Sequence, residues 1–155
     1  QAEAALGAAF RSRTTAKRYI ALLSGRPNPP RPVGGASARE RPEAEGGGIA
    51  VEAPLGRDAA RPGRSVVDAA GGKPASSVFR LHAYCAERRV ALVSVDLLTG
   101  RLHQIRAHAA FLAAPVAADD AYDEAGGPAF RASLGVLAGV RRGRPLLHAW
   151  SMSVP

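Results

Sequence analysis

The chain has 155 residues, enough for one domain or for part of a larger one. Its 21 Lys and Arg against 13 Asp and Glu give a net charge of +8 and a pI near 10.9, and nearly all of that positive charge is arginine, which pairs bidentately with phosphate and stacks on bases; GC-rich coding would enrich Arg, Ala, Gly and Pro together as well. A single cysteine, Cys85, excludes an intramolecular disulfide and a cysteine-cage zinc site, and no apolar run has the length of a membrane-spanning helix.

In chain order, residues 1–16 read as a helix with Leu6 and Phe10 on its buried face and a basic far end. Tyr19-Ile20-Ala21-Leu22-Leu23 is a short apolar strand closed by Ser24-Gly25. Residues 26–48 hold Pro, Gly, Arg, Ala and Glu without apolar periodicity, so they read as a loop or disordered insertion that cannot offset its chain entropy. Ile49 to Val51 resumes a strand, Pro54 to Asp58 is a turn, and residues 59–72 form a second polar loop. Ser76 to Tyr84 and Val90 to Leu98 make an antiparallel hairpin around Glu87-Arg88-Arg89, the second arm apolar enough for a central strand. Cys85 is expected as a small core residue beside it.

A helix follows, with Thr99 as its expected cap and Leu102, Ile105, Ala109 and Leu112 as its apolar stripe. Ala114-Pro115 stops it, and Asp119 to Gly127 is a loop. Leu134 to Val140 is a short apolar element, Arg141 to Pro145 a basic turn, and Leu146 to Val154 a last strand. Interleaved helices and antiparallel pairs define the class as α+β: a mixed, mainly antiparallel sheet with flanking helices. Both ends read as internal to a longer chain, since it opens at Gln1 inside a helical stretch and closes just after an apolar segment.

The run Leu98-Thr99-Gly100-Arg101-Leu102-His103-Gln104-Ile105-Arg106-Ala107-His108 concentrates donors of several kinds at one helix start. Arg106 there serves either as a surface charge or as a bidentate partner for a carboxylate or phosphate. His103 and His108 are five apart, off the i, i+4 spacing of a zinc helix, so they read as hydrogen-bonding groups and no metal site is expected. Tyr19, directly after Lys17-Arg18, is either core packing or an aromatic face in a basic groove. His148 reads as a half-buried strand histidine. Gly46-Gly47-Gly48 and Gly71-Gly72-Lys73 lack the strand and spacing of a phosphate loop.

Taken in order, these pieces resemble the RluA-type pseudouridine synthases. Lys17-Arg18-Tyr19-Ile20-Ala21-Leu22 is similar to that family's Lys-x-Tyr-x-Ala-Leu strand, Pro54-Leu55-Gly56-Arg57 to its Pro-Ile-Gly-Arg turn, and Gly72-Lys73-Pro74-Ala75 to its Gly-Lys-x-Ala. Leu98 to His108 matches Leu-x-Thr-Gly-Arg-x-His-Gln-Ile-Arg-x-His almost letter for letter. Pro115-Val116-Ala117-Ala118-Asp119 with Tyr122 looks like Pro-Ile-x-Gly-Asp-x-x-Tyr, with alanine in place of glycine, and Leu147-His148-Ala149 matches a late Leu-His-Ala.

The resemblance implies a partial pseudouridine synthase catalytic domain over residues 1–155, with the insertion at 26–48. It implies isomerisation of uridine to pseudouridine in structured RNA, rRNA or tRNA, by an intracellular protein that is monomeric at full length. No metal, organic cofactor or membrane is involved. The base is flipped into a pocket and an aspartate acts as nucleophile. By the same resemblance Arg106 pairs with that aspartate, Tyr19 packs on the uracil and assists proton removal, and Leu147 forms the apolar wall. Arg101, His103 and Lys17 lie toward the RNA. The family's His-Arg-Leu-Asp nucleophile motif does not occur in these residues, and Asp58, Asp68, Asp96, Asp119, Asp120 and Asp123 all lack its context. The chain is therefore expected to be inactive alone, with Arg106 lacking the carboxylate it should hold. The alternative is a non-catalytic, RNA-binding or ribosome-associated degenerate synthase.

Overall fold

A computed structural model describes residues 16–123 and 144–153. The helix expected over 1–16, but for Ala16, and the apolar element expected over 134–140 lie outside them.

Eight strands, one α-helix and a one-turn 3-10 helix (Glu43–Glu45) make up the described fold: β1 (Ala16–Ser24), β2 (Ser37–Glu40), β3 (Ile49–Glu52), β4 (Leu55–Arg57), β5 (Ser65–Val67), β6 (Ser76–Cys85), β7 (Val90–Leu97), α1 (Gln104–Phe111) and β8 (Leu147–Ser153). Six strands form one sheet in the order β2-β3-β6-β7-β1-β8, and β4 pairs with β5 apart from it. Every pair is antiparallel, so the fold is α+β with a mainly antiparallel sheet.

Side-chain parity explains why one face is covered. Ala21 and Leu23 of β1, Ala91, Val93 and Val95 of β7, Phe79 of β6 and Val51 of β3 are all buried on the same face, and Ile105 and Ala109 of α1 with Leu112 at its C-cap complete that core. The central strand expected at 90–98 is β7, paired with β6 on one side and β1 on the other. On the opposite face, Asp96 of β7 is held by Arg18 of β1 (2.7 Å) and by Arg80 of β6. Burial opposes ionisation of Asp96, but the two guanidiniums outweigh it and hold the carboxyl below its ordinary range.

Several local expectations change: the turn expected over 54–58 holds β4, and the polar loop expected over 59–72 holds β5. The stretch 26–48 contributes β2, which extends the sheet edge against β3, with Ala36 and Ala38 buried. Small residues make that contact, so no apolar periodicity announced it. Cys85 is exposed at the end of β6 rather than in the core. A bulge between Leu81 and Ala83 breaks the alternation of β6 just before it. His148 is exposed on the edge strand. The Gly-Lys-x-Ala segment is a close-packed corner: Leu55 and Lys73 exchange backbone hydrogen bonds (2.9 Å each), and a Cβ on Gly72 would fall 2.4 Å from the Asp68 carbonyl oxygen.

Candidate RNA-modifying site around Arg106

The Thr99-Gly100 turn leads not directly into a helix but into a looped crossing that ends at His103, whose φ of 52° is left-handed. Such a conformation is uncommon for a residue with a side chain and is a form of local strain. The helix starts one residue later, at Gln104, so Leu102 sits outside it and is 59% exposed rather than part of the apolar stripe. Thr99 does not cap the helix N–H groups. Its hydroxyl accepts from Ser76 N–H (2.9 Å) and donates to Gln104 Oε1 (2.7 Å).

Gln104 begins a buried relay. Its Nε2 donates to the Ser76 carbonyl (2.8 Å) and to Ser77 Oγ (2.9 Å). Ser77 Oγ lies 3.0 Å from His108 Nδ1, and His108 Nε2 lies 3.0 Å from the Ala53 carbonyl. A carbonyl only accepts, so Nε2 carries the proton and Nδ1 accepts from the serine. His108 is fully buried, and burial lowers its pKa to about 4. It is a neutral tie between α1, β6 and the end of β3, remote from any charge-transfer role.

Arg106, one turn along from His103, faces a different set of groups. Nε and Nη2 each donate to one oxygen of Asp119, both at 2.6 Å, a side-on bidentate fork. Asp119 is 1% exposed. Its Oδ1 also accepts from Ala121 N–H (3.2 Å), and its backbone carbonyl accepts from Tyr122 and Asp123 N–H. The hydrogen bonds Arg106 donates to Asp119 raise its pKa further. The guanidiniums of Arg106 and Arg64 lie 4.8 and 4.5 Å from the centroid of the Tyr122 ring. The Tyr122 hydroxyl donates to the Ser65 carbonyl (2.8 Å), accepts from Ser65 N–H (2.9 Å), and is thus tied to β5. The His103 ring meets Tyr122 edge-on at 6.0 Å. Burial and then the Arg106 charge lower the His103 pKa.

Arg106 therefore holds a carboxylate of this chain, that of Asp119, which the sequence reading did not assign to it. Asp119, Tyr122 and Arg64 were missed as site residues. The Pro-x-x-x-Asp-x-x-Tyr spacing was visible, but nothing in it says which arginine the aspartate grips. Ala118, at the family's glycine position, has a φ of 60°, which explains why glycine suits that turn.

The other expected residues divide into two groups. Tyr19 and Leu147 are half-buried on the helix-bearing face, where Tyr19 is opposite Ala149 and Leu147 is opposite Ala21. Lys17 lies two residues before Tyr19, opposite Leu97. The segment before Asp119 joins them to the Arg106 cluster: Ala117 N–H donates to the Leu22 carbonyl (2.8 Å), and Leu146 N–H donates to the Ala117 carbonyl (2.9 Å). Arg101 stands apart, its Nε on the Pro74 carbonyl (3.0 Å). Among the described residues no group of His, Cys, Asp and Glu is placed to hold a metal ion.

The mainly antiparallel sheet with its one described α-helix is the fold of solved pseudouridylate synthase domains. The human RNA pseudouridylate synthase domain containing 1 superposes with a TM-score of 0.69 at 23% identity, covering 98% of this chain and 54% of that one. Residues 1–111 match the family described as RNA pseudouridylate synthase, and the chain belongs to that family, in its RluA-like branch. It is 42% identical over 72 residues to the uncharacterized RNA pseudouridine synthase YhcT of Bacillus subtilis, 46% of this chain and 24% of that protein. It is 30% identical over 155 residues to the ribosomal large subunit pseudouridine synthase D of Nitrosomonas europaea, 99% of this chain and 38% of that protein. The chain thus spans well under half the length of these two bacterial relatives.

Proposed function

We propose that this chain supplies the arginine side of a site that isomerises uridine to pseudouridine in structured RNA, with rRNA as the first substrate to test. The observation that carries this reading is the Leu98–His108 motif, which places Arg106 in a rigid fork beside Tyr122 within a pseudouridylate synthase fold. In this reading Arg106 orients the nucleophilic carboxylate, Tyr19 packs on the flipped uracil, and Leu147 forms the apolar wall. Arg101, His103 and Lys17 face the RNA backbone. The reaction needs no metal or organic cofactor, and the working unit is a monomer.

In this reading the nucleophile is none of the chain's own aspartates, since none lies in a His-Arg-Leu-Asp motif. Asp119, the one on Arg106, is 1% exposed and already committed to it. The nucleophile belongs to a His-Arg-Leu-Asp segment outside these 155 residues. A turnover assay on uridine-containing RNA should therefore give no product with this chain and robust product with the intact protein that includes such a segment. Arg106→Ala in that protein should abolish turnover and leave RNA affinity within about twofold, because its role in this reading is to aim the nucleophile rather than to bind phosphate. Robust turnover by the 155-residue chain would overturn the missing-nucleophile reading, and near-normal rates for Arg106→Ala would remove Arg106 from the site. A second reading, a non-catalytic RNA-binding protein, rests on the same absence of a nucleophile from the sequence; it predicts RNA binding without turnover from the intact protein.

A further inference from the structure

We propose that Asp119 is the positioning residue for Arg106, fixing one edge of its guanidinium so that the other edge is presented to a second oxyanion. The inference rests on the isomerase reading for the identity of that oxyanion, the nucleophilic carboxylate, but its geometry is independent of it.

Guanidinium covalent geometry gives two forks. The side-on fork uses Nε and Nη2; the end-on fork uses Nη1 and the remaining N–H of Nη2. Asp119 occupies the side-on fork through both of its oxygens. Among the described residues no hydrogen bond engages Nη1. The Arg106 side chain keeps 17% of its surface while that of Asp119 keeps none, so the buried partner anchors and the arginine reaches out.

Asp119 is itself held. Its Oδ1 takes the Ala121 N–H, its carbonyl takes two further N–H groups, and the Val116–Ala118 stretch leading to it is stitched to β1 at Leu22 and Leu23. Tyr122, three residues on, lies beneath the same guanidinium and is fastened to Ser65. A two-atom grip and a ring contact together fix both the position and the plane of Arg106. An arginine without them would rotate about its terminal torsions, and a carboxylate aimed by it would wander. Misplacement of a catalytic group by about 1 Å can cost about 100-fold in rate.

The test uses the intact protein. In single-turnover assays Asp119→Asn should lower the rate constant about 100-fold while RNA affinity stays within about twofold, and Asp119→Glu should recover part of the loss. Near-wild-type rates for Asp119→Asn, with Arg106→Ala inactive, would overturn the positioning role and leave the isomerase reading standing. Full activity of Arg106→Ala would instead remove Arg106 from the site, whereas RNA binding without turnover by the wild type would defeat the isomerase reading. A second measurement covers variants that fail to fold and a wild type that shows no turnover. In the wild-type protein with 15N-labelled arginine, the Arg106 Nε–H should exchange slowly with water, because Asp119 holds it. Exchange at Nε as fast as in a free arginine would overturn the fork assignment by itself.

Discussion

At the residue scale the donor-rich run divides into two jobs. Arg106 turns toward Asp119 and the surface, whereas Gln104 and His108 turn inward to close a relay through Ser77 to the Ala53 carbonyl. The sequence marked these residues as polar at a helix start, and Arg106 was legible as a bidentate partner. The division was not, because it depends on the left-handed turn at His103, which delays the helix and rotates its faces. The inward job has a pH signature. A histidine titrates near 6.5 in the unfolded chain and at about 4 here, because burial disfavours the imidazolium. Between those values the unfolded state binds the extra proton, so stability is intact above 6.5 and falls as the pH drops toward 4. That gap is worth roughly 3 kcal/mol. Urea midpoints measured at pH 7 and pH 4.5 should fall more for the wild type than for His108→Gln, which lacks the titrating ring. Equal falls would show that His108 does not titrate with folding.

At the scale of elements, the β6–β7 hairpin and the central place of β7 were legible from alternation and β-branched residues. β2 was not, since its buried contacts are Ala36 and Ala38 inside a Pro- and Gly-rich stretch. What holds that stretch is backbone geometry. Gly48 has a φ of 87°, accepts the Arg41 N–H across the turn between β2 and β3, and passes so close to β6 that a Cβ would stand 2.4 Å from the Phe79 carbonyl oxygen. The neighbouring Gly46 carbonyl takes Arg80 Nε (2.9 Å), fastening the turn to the face where Asp96 joins β1, β6 and β7. Gly48→Ala therefore meets both a strained φ and a backbone clash, and should cost about 2 kcal/mol or more. Denaturant titration checks the loss. Amide exchange should localise it to β2 and β3 first, and an unchanged midpoint would contradict the close approach.

For the whole molecule, the arginine-rich balance gives a long-range attraction for a polyanion, but the fold decides which arginines act as free charge. Composition could not show this, because ion pairing is a tertiary property: Arg106 is neutralised by Asp119, and Arg18 and Arg80 share Asp96. Arg101 differs. Its Nε is on a neutral carbonyl, that of Pro74, so its charge is uncompensated by that contact while one edge of the guanidinium is fixed. RNA affinity measured against salt separates the two kinds. Each phosphate neutralised contributes about 0.7 to 0.9 to the slope of log K against log salt. Arg101→Ala should flatten the slope by about that amount and weaken stem-loops of different sequence alike. Arg106→Ala should leave the slope nearly unchanged, since in this reading its guanidinium meets carboxylates rather than phosphates. Fluorescence anisotropy between 50 and 200 mM KCl spans a range in which phosphate contacts lose affinity steeply, by roughly 10³-fold or more when there are many of them. If Arg106→Ala flattened the slope as much as Arg101→Ala, the Asp119 fork would be open in solution, and the aim it gives the arginine would go with it.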